Sequence, residues 1–149
     1  MSLQEKIMVA MKTAMKAKDA QSLEALRSVK SALLLAQTET GSKVAISEED
    51  EIKLLQKQVK QRKDSAAIYK EQGREDLAAP ELLQAKVIEQ FLPQQLSEEE
   101  VIKIVDQIIA ETGASSMVDM GKVMGLATAK LAGKADGKTI STAVKAKLS

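Results

Sequence analysis

The sequence predicts an all-α protein of two helical bundles, a four-helical N-terminal one and a three-helical C-terminal one. Three observations predict it. Aromatic residues are almost absent, with only Tyr69 and Phe91 and no Trp, so the core is left to Leu, Ile, Val, Ala and seven Met. Leu, Met and Ala favour helices, whereas sheets draw on β-branched and aromatic residues. Apolar residues recur at three-to-four spacing, and no strand-like alternation of any length interrupts them. Ser47-Glu48-Glu49-Asp50 and Ser97-Glu98-Glu99-Glu100 are helix starts, each a capping serine followed by acids in the first turn.

The first helix is expected from Leu3 to Lys18, with Leu3, Ile7, Met11, Ala14 and Met15 facing inward and Lys12, Lys16 and Lys18 complementing its C-terminal dipole. Asp19 or Ser22 starts the second, whose Leu23, Leu26, Val29, Leu33 and Ala36 repeat at helical spacing up to a stop near Gly41. Arg27 and Lys30 lie three apart on it, either a solvated edge or a cationic pair. The third runs from Ser47 to about Gln72 over a seam of Ile52, Leu55, Val59, Ala66 and Tyr69. Gly73 ends it, and a fourth continues through Leu82, Leu83, Ala85, Val87, Ile88 and Leu92, with Pro80 about one turn in. Pro93 disfavours helix at Leu92, so the domain boundary falls there, giving residues 1–93 and 94–149. Beyond it, Val101, Ile104, Val105 and Ile108 mark a fifth helix closed by Gly113. Ser116 to Asp119 caps a sixth. Asp136 or Thr139 starts a seventh, with Ile140, Val144 and Leu148 on one face and Lys145 and Lys147 outward.

Cysteine and histidine are both missing. That removes disulfides, Cys/His zinc sites, a thiol nucleophile and an imidazole base. No loop matches the calcium pattern, no metal site or cofactor is expected, and no apolar run approaches the length of about 18 residues that a membrane span needs. The N-terminus is charged within its first turns, unlike a signal peptide, so a cytoplasmic location is expected. Net charge is +1, but unevenly placed. Residues 93–119 carry six acids against Lys103 alone, a net of −5, and residues 120–149 carry six lysines against Asp136 alone, a net of +5. A basic end on a neutral chain suffices to bind nucleic acid locally.

The stretch from Gly113 to Lys138 is the part least explained by packing. Met117, Met120, Met124, Ala127 and Leu131 fall on or near one helical face. Gly121 and Gly125 lie inside that pattern, each costing about 1 kcal/mol against Ala in a helix interior. Four apart, they leave a bare strip. Close helix–helix packing is the first explanation of such a strip, and a contact surface for a polyanion the second. Lys122 and Lys130 project beside it, and Gly133-Lys134-Ala135-Asp136-Gly137-Lys138 makes a basic turn after it. A second basic stripe, Lys57, Lys60, Arg62 and Lys63 with Lys53, runs along the third helix, and Arg74 follows. Solvated surface is its first explanation, an anion-binding face its second.

Four ordered segments carry a family resemblance: QRKDSAAIYKEQGREDL (Gln61 to Leu77), EQFLPQQLSEEE (Glu89 to Glu100), MGKVMG (Met120 to Gly125) and GKADGK (Gly133 to Lys138). Together they resemble the YqeY family, small bacterial proteins similar to the C-terminal tail of the B subunit (GatB) of the tRNA-dependent amidotransferase. The resemblance implies two all-helical bundles, and a tRNA-contacting module rather than the seat of the chemistry. Its pattern covers Gly121, Lys122, Met124, Gly125, Gly133, Lys134, Asp136 and Gly137, and in the first bundle Arg62, Lys63, Asp64, Ser65, Gly73, Arg74, Asp76 and Leu77. Pro80 departs from it.

The expected function is therefore an accessory module that binds tRNA through Gly121, Lys122, Gly125, Lys130, Gly133, Lys134, Gly137, Lys138 and Lys145, with Lys147 beside them. The scarcity of aromatics argues against recognition of single strands by base stacking. The chain is expected to be a monomer, and the alternative function is a protein-interaction module that docks on an aminoacyl-tRNA synthetase or on part of an amidotransferase. No catalytic constellation is visible: the candidate carboxylates Asp64, Asp76 and Asp136 are more economically helix caps or ion-pair partners. A carbon–nitrogen ligase activity with glutamine as amido donor would come to this chain by similarity alone.

Overall fold

Helix starts here are built from local hydrogen bonds. Ser2 and Ser97 each form a capping box, accepting from the backbone N–H of Glu5 or Glu100 while that glutamate accepts from the serine N–H. Ser47 accepts from Asp50 N, Asp19 from Ser22 N, and Asp136 from Thr139 N at 2.7 Å. In the computed structural model, which describes residues 1–39 and 46–149, these starts open α1 (Leu3–Ala17), α2 (Ala20–Glu39), α3 (Glu48–Glu71), α5 (Glu98–Thr112) and α7 (Gly137–Leu148). α4 (Glu75–Glu89) and α6 (Met120–Lys130) start without a side-chain cap, α6 behind a short 3-10 turn at Met117–Asp119. The described residues are all helix, turn and loop, with no strand. The expected stop at Gly41 lies outside the described residues.

The chain divides into two units, Met1–Leu92 and Pro93–Ser149. In the first, Ile7, Leu26, Val29, Leu33, Leu55, Val59, Ala85 and Ile88 form one apolar cluster. Burial of each large aliphatic side chain contributes about 1.5–3 kcal/mol. Alanines at 0–1% exposure (Ala25, Ala66, Ala78, Ala85) let α2, α3 and α4 approach closely. In the second unit Val101, Val105, Ile108, Val123, Ala127, Leu131, Ile140, Val144 and Leu148 close a three-helix core.

Four expectations need correction. Met15 is 52% exposed rather than inward, because Ile7 and Ala14 set the buried direction of α1 and Met15 falls on its flank. α4 stops at Glu89 rather than Leu92: the N–H groups of Phe91 and Leu92 turn back to the carbonyls of Ile88 and Glu89, tightening the end. Met117 sits in the 3-10 turn, 46% exposed, and Val123 takes the place on the buried face of α6 that periodicity gives to Met117. Ser116 makes no side-chain cap; Asp119 instead accepts from Ser115 N at 3.0 Å.

The first unit is also tied by polar side chains. Arg62 of α3 donates to Gln58 Oε1 at 2.6 Å and to Gln84 Oε1 of α4 at 3.2 Å. Gln84 donates on to Gln21 of α2 at 2.8 Å, and Ser28 of α2 donates to Gln58 at 3.2 Å. Gln84 is 8% exposed. This chain of bonds spans three helices and fixes their register, and no buried side-chain polar atom among the described residues is left unbonded. Replacing Gln84 with Leu strips partners from Arg62 and Gln21. Denaturant unfolding should show a loss of about 1–3 kcal/mol, whereas Lys57→Gln on the exposed face should change little.

Candidate functional site

In α6, Val123 and Ala127 are fully buried and Met120 and Met124 pack partly against the core. That orientation sends Gly121 and Gly125 outward. A Cβ built on either glycine meets nothing within 4 Å. Close helix–helix packing, the first explanation of the glycine pair, is therefore overturned within this unit: the strip faces open space.

Residues four apart stack into rows along a helix surface. One row on the outer side of α6 is Gly121, Gly125 and Ala129, all exposed and all small. The next row is Lys122, Leu126 and Lys130, with both lysines exposed and Leu126 46% exposed. At the N-terminal approach to these rows Val118 stands 93% exposed. A smooth furrow thus lies beside a ridge with a cation at each end and an apolar side chain between. Leu126, Ala129 and Val118 escaped the sequence analysis, though counting fours from Gly121 and Lys122 along the helix finds the first two.

The remaining C-terminal candidates divide. Lys138 and Lys145, seven apart, share the outer face of α7, and neither has an ion-pair partner among the described residues; the same holds for Lys122, Lys130 and Lys134. Lys138 shares a shallow groove with Glu98 and Ile102 of α5, so an acid stands near it. Lys147 pairs with Asp106 at 3.4 Å. Gly133 is buried at φ +77. Its carbonyl accepts from Gln95 Nε2 at 2.6 Å and that of Lys134 from Leu96 N at 2.9 Å. The basic turn is held by residues 95 and 96, so Gly133 supplies a left-handed backbone rather than an open approach. Gly137 is the first, exposed residue of α7.

Four of the six cations in the first unit's stripe have partners. Arg62 belongs to the polar network. Lys63 pairs with Glu89 at 2.7 Å, Lys53 with Glu49 at 3.4 Å, and Arg74 forms a two-pronged pair with Asp76 at 2.9 and 3.0 Å. Arg74 holds the Asp76 carboxyl below its ordinary pKa, and Asp76 raises that of Arg74. Lys57 and Lys60 alone of the six keep exposed charge without an ion-pair partner among the described residues. Of the candidate carboxylates, Asp76 holds Arg74 and Asp136 caps α7. No group of three or more His, Cys, Asp or Glu among the described residues is placed to hold a metal ion, and no described helix is long and apolar enough to cross a membrane.

The open glycines make a stability prediction. Gly121→Ala and Gly125→Ala should each stabilise the C-terminal unit by roughly 0.5–1 kcal/mol, since a methyl fits and the unfolded chain loses freedom. Gly113→Ala, at φ +69, should destabilise it. Thermal or denaturant unfolding of the three variants reads the signs, and a loss at Gly121 or Gly125 would contradict the open geometry.

The family described as Yqey-like protein matches residues 4–148. The E-type component of a glutamyl-tRNA(Gln) amidotransferase from Thermococcus gammatolerans (strain DSM 15229 / JCM 11827 / EJ3) is 44% identical over 73 residues, covering 46% of this chain and 12% of that protein. The chain thus corresponds to a small part of that relative's length.

Proposed function

The chain belongs to the Yqey-like family, and from that premise we propose that it is an accessory module that binds tRNA through the outer side of α6, without a catalytic centre of its own. The pair of rows on α6 carries the reading. A helix that gives up stability at Gly121 and Gly125, with no neighbour in its own unit to occupy the space, has room for a backbone to approach. Lys122 and Lys130 then reach phosphates on one side of the furrow, with Lys134, Lys138 and Lys145 supplying further positive charge. Gly125 accommodates a sugar–phosphate strand that a larger side chain would hold off. Such contacts recognise shape and backbone, as suits a folded RNA, and few aromatics are needed. The likeness of part of this chain to a glutamyl-tRNA(Gln) amidotransferase component supports tRNA as the nucleic acid.

That same likeness favours a second reading, association with an amidotransferase or a synthetase, in which the α6 rows meet protein instead. One titration separates the two. Bulk deacylated tRNA, added across several salt concentrations with duplex DNA as control, should bind in the micromolar range or tighter, with a steep salt slope and a preference over DNA. Lys122→Glu with Lys130→Glu should weaken binding and lower the slope by roughly 1.4–1.8, two phosphate contacts at about 0.7–0.9 each. Gly125→Leu should weaken binding at unchanged slope while helicity is kept. No binding at low salt, or a double variant that binds like the parent, would turn the assignment toward protein docking.

A further inference from the structure

The first unit has a surface that tRNA binding leaves unused, on the seam between α1 and α2 away from α4. Gln4, Ile7 and Met8 of α1 and Lys30, Leu33 and Leu34 of α2 line a small concavity there. At 100° per residue, Met11 and Met15 continue the α1 wall and Leu23 and Arg27 the α2 wall. Met8, Met15 and Leu34 are 41%, 52% and 51% exposed, so the seam presents an apolar floor to solvent. Lys30 is the one charged side chain that lines the concavity. Arg27 and Lys30 are exposed and without ion-pair partners among the described residues, and Lys12 is exposed on the α1 side. Of the acids on this side, Glu5 is bound back to Ser2, and Glu24 lies one row further out than Arg27.

From this placement we propose that the α1–α2 seam docks an acidic amphipathic helix of a protein partner. Apolar side chains at i, i+4 and i+7 of that helix enter between the methionines and Leu34, and its flanking carboxylates meet Arg27 and Lys30. Flexible thioether walls suit varied apolar side chains. Helix-in-groove recognition lays the apolar face of an amphipathic helix into such a floor, and a cationic rim favours an acidic one. A phosphate backbone gains nothing from Met8, Met15 and Leu34, and a bilayer surface does not enter a furrow between two helices. The larger groove on the other flank of α1, between α2 and α4, carries Asp19 and Lys86 together and so states no charge preference. The proposal is independent of the tRNA reading, since it uses another unit and other residues.

The test is selection from a displayed library of helical peptides against the full chain, followed by methionine-methyl NMR with the enriched peptide. Enriched sequences should carry apolar residues at i, i+4 and i+7 beside Asp and Glu, and should shift the methyl signals of Met8, Met11 and Met15 rather than those of Met120 and Met124. Arg27→Glu with Lys30→Glu should weaken the peptide by about tenfold or more with the circular dichroism spectrum unchanged. The same peptide with its acids changed to Lys should not bind. No helical enrichment, enrichment of basic peptides, or affinity indifferent to the double variant would overturn the proposal. So would phosphatidylserine-containing vesicles that move the same methyl signals more strongly than the peptide, or movement with protein concentration alone, which would assign the seam to a second copy.

Discussion

The near absence of aromatic side chains is the constraint on which this structure rests. Two aromatic residues in the whole chain leave the cores to Leu, Ile and Val, with alanine at several of the closest approaches. Ala25, Ala66, Ala78 and Ala85 in the first unit and Ala127 and Ala143 in the second occupy positions where helices meet. Alanine costs little side-chain entropy and favours the helix, but it buries little area. Definition must come from elsewhere. It comes from caps at the helix starts and, in the first unit, from the Gln21–Gln84–Arg62–Gln58–Ser28 chain of bonds across α2, α3 and α4. Such a network is favourable only when complete, since a half-bonded amide inside the protein costs more than an apolar group.

Several cations of the first unit have partners of their own. Arg62 bonds Gln84, and Lys63 and Arg74 form solvent-exposed pairs with Glu89 and Asp76. In the second unit Lys122, Lys130 and Lys134 have no such partners among the described residues. Free cations next to an open glycine furrow are the combination that sets α6 apart. Its helix gives up intrinsic stability at two exposed positions where alanine would fit, a pattern found where function opposes stability.

The all-helical fold was legible because capping and periodicity are local. Ser97 with Glu100 marks a start that any neighbour would leave in place, and Gly113 marks its stop with a left-handed backbone. The direction in which Gly121 and Gly125 face was not legible. It depends on whether Met117 or Val123 sets the buried side, and Met117 falls outside the helix because Met117–Asp119 form a 3-10 turn. Exchanging one for the other rotates the assigned core face and turns the glycines from packing residues into surface. The fates of Arg62 and Gly133 were equally hidden, since Gln84 and Gln95, their partners, are 22 and 38 residues away in sequence. The lysines of α6 could be placed on one face, but whether a distant acid neutralises them could not.

We propose the outer rows of α6 as a contact surface for RNA. Backbone amide NMR of the full chain during a titration with bulk tRNA tests it most directly, because glycine amides resolve well and need no substitution. Shifts or broadening should concentrate at Gly121, Lys122, Gly125 and Lys130, with Gly113 unaffected. Perturbations confined to Lys57 and Lys60 on α3, or spread evenly over every exposed lysine, would contradict it.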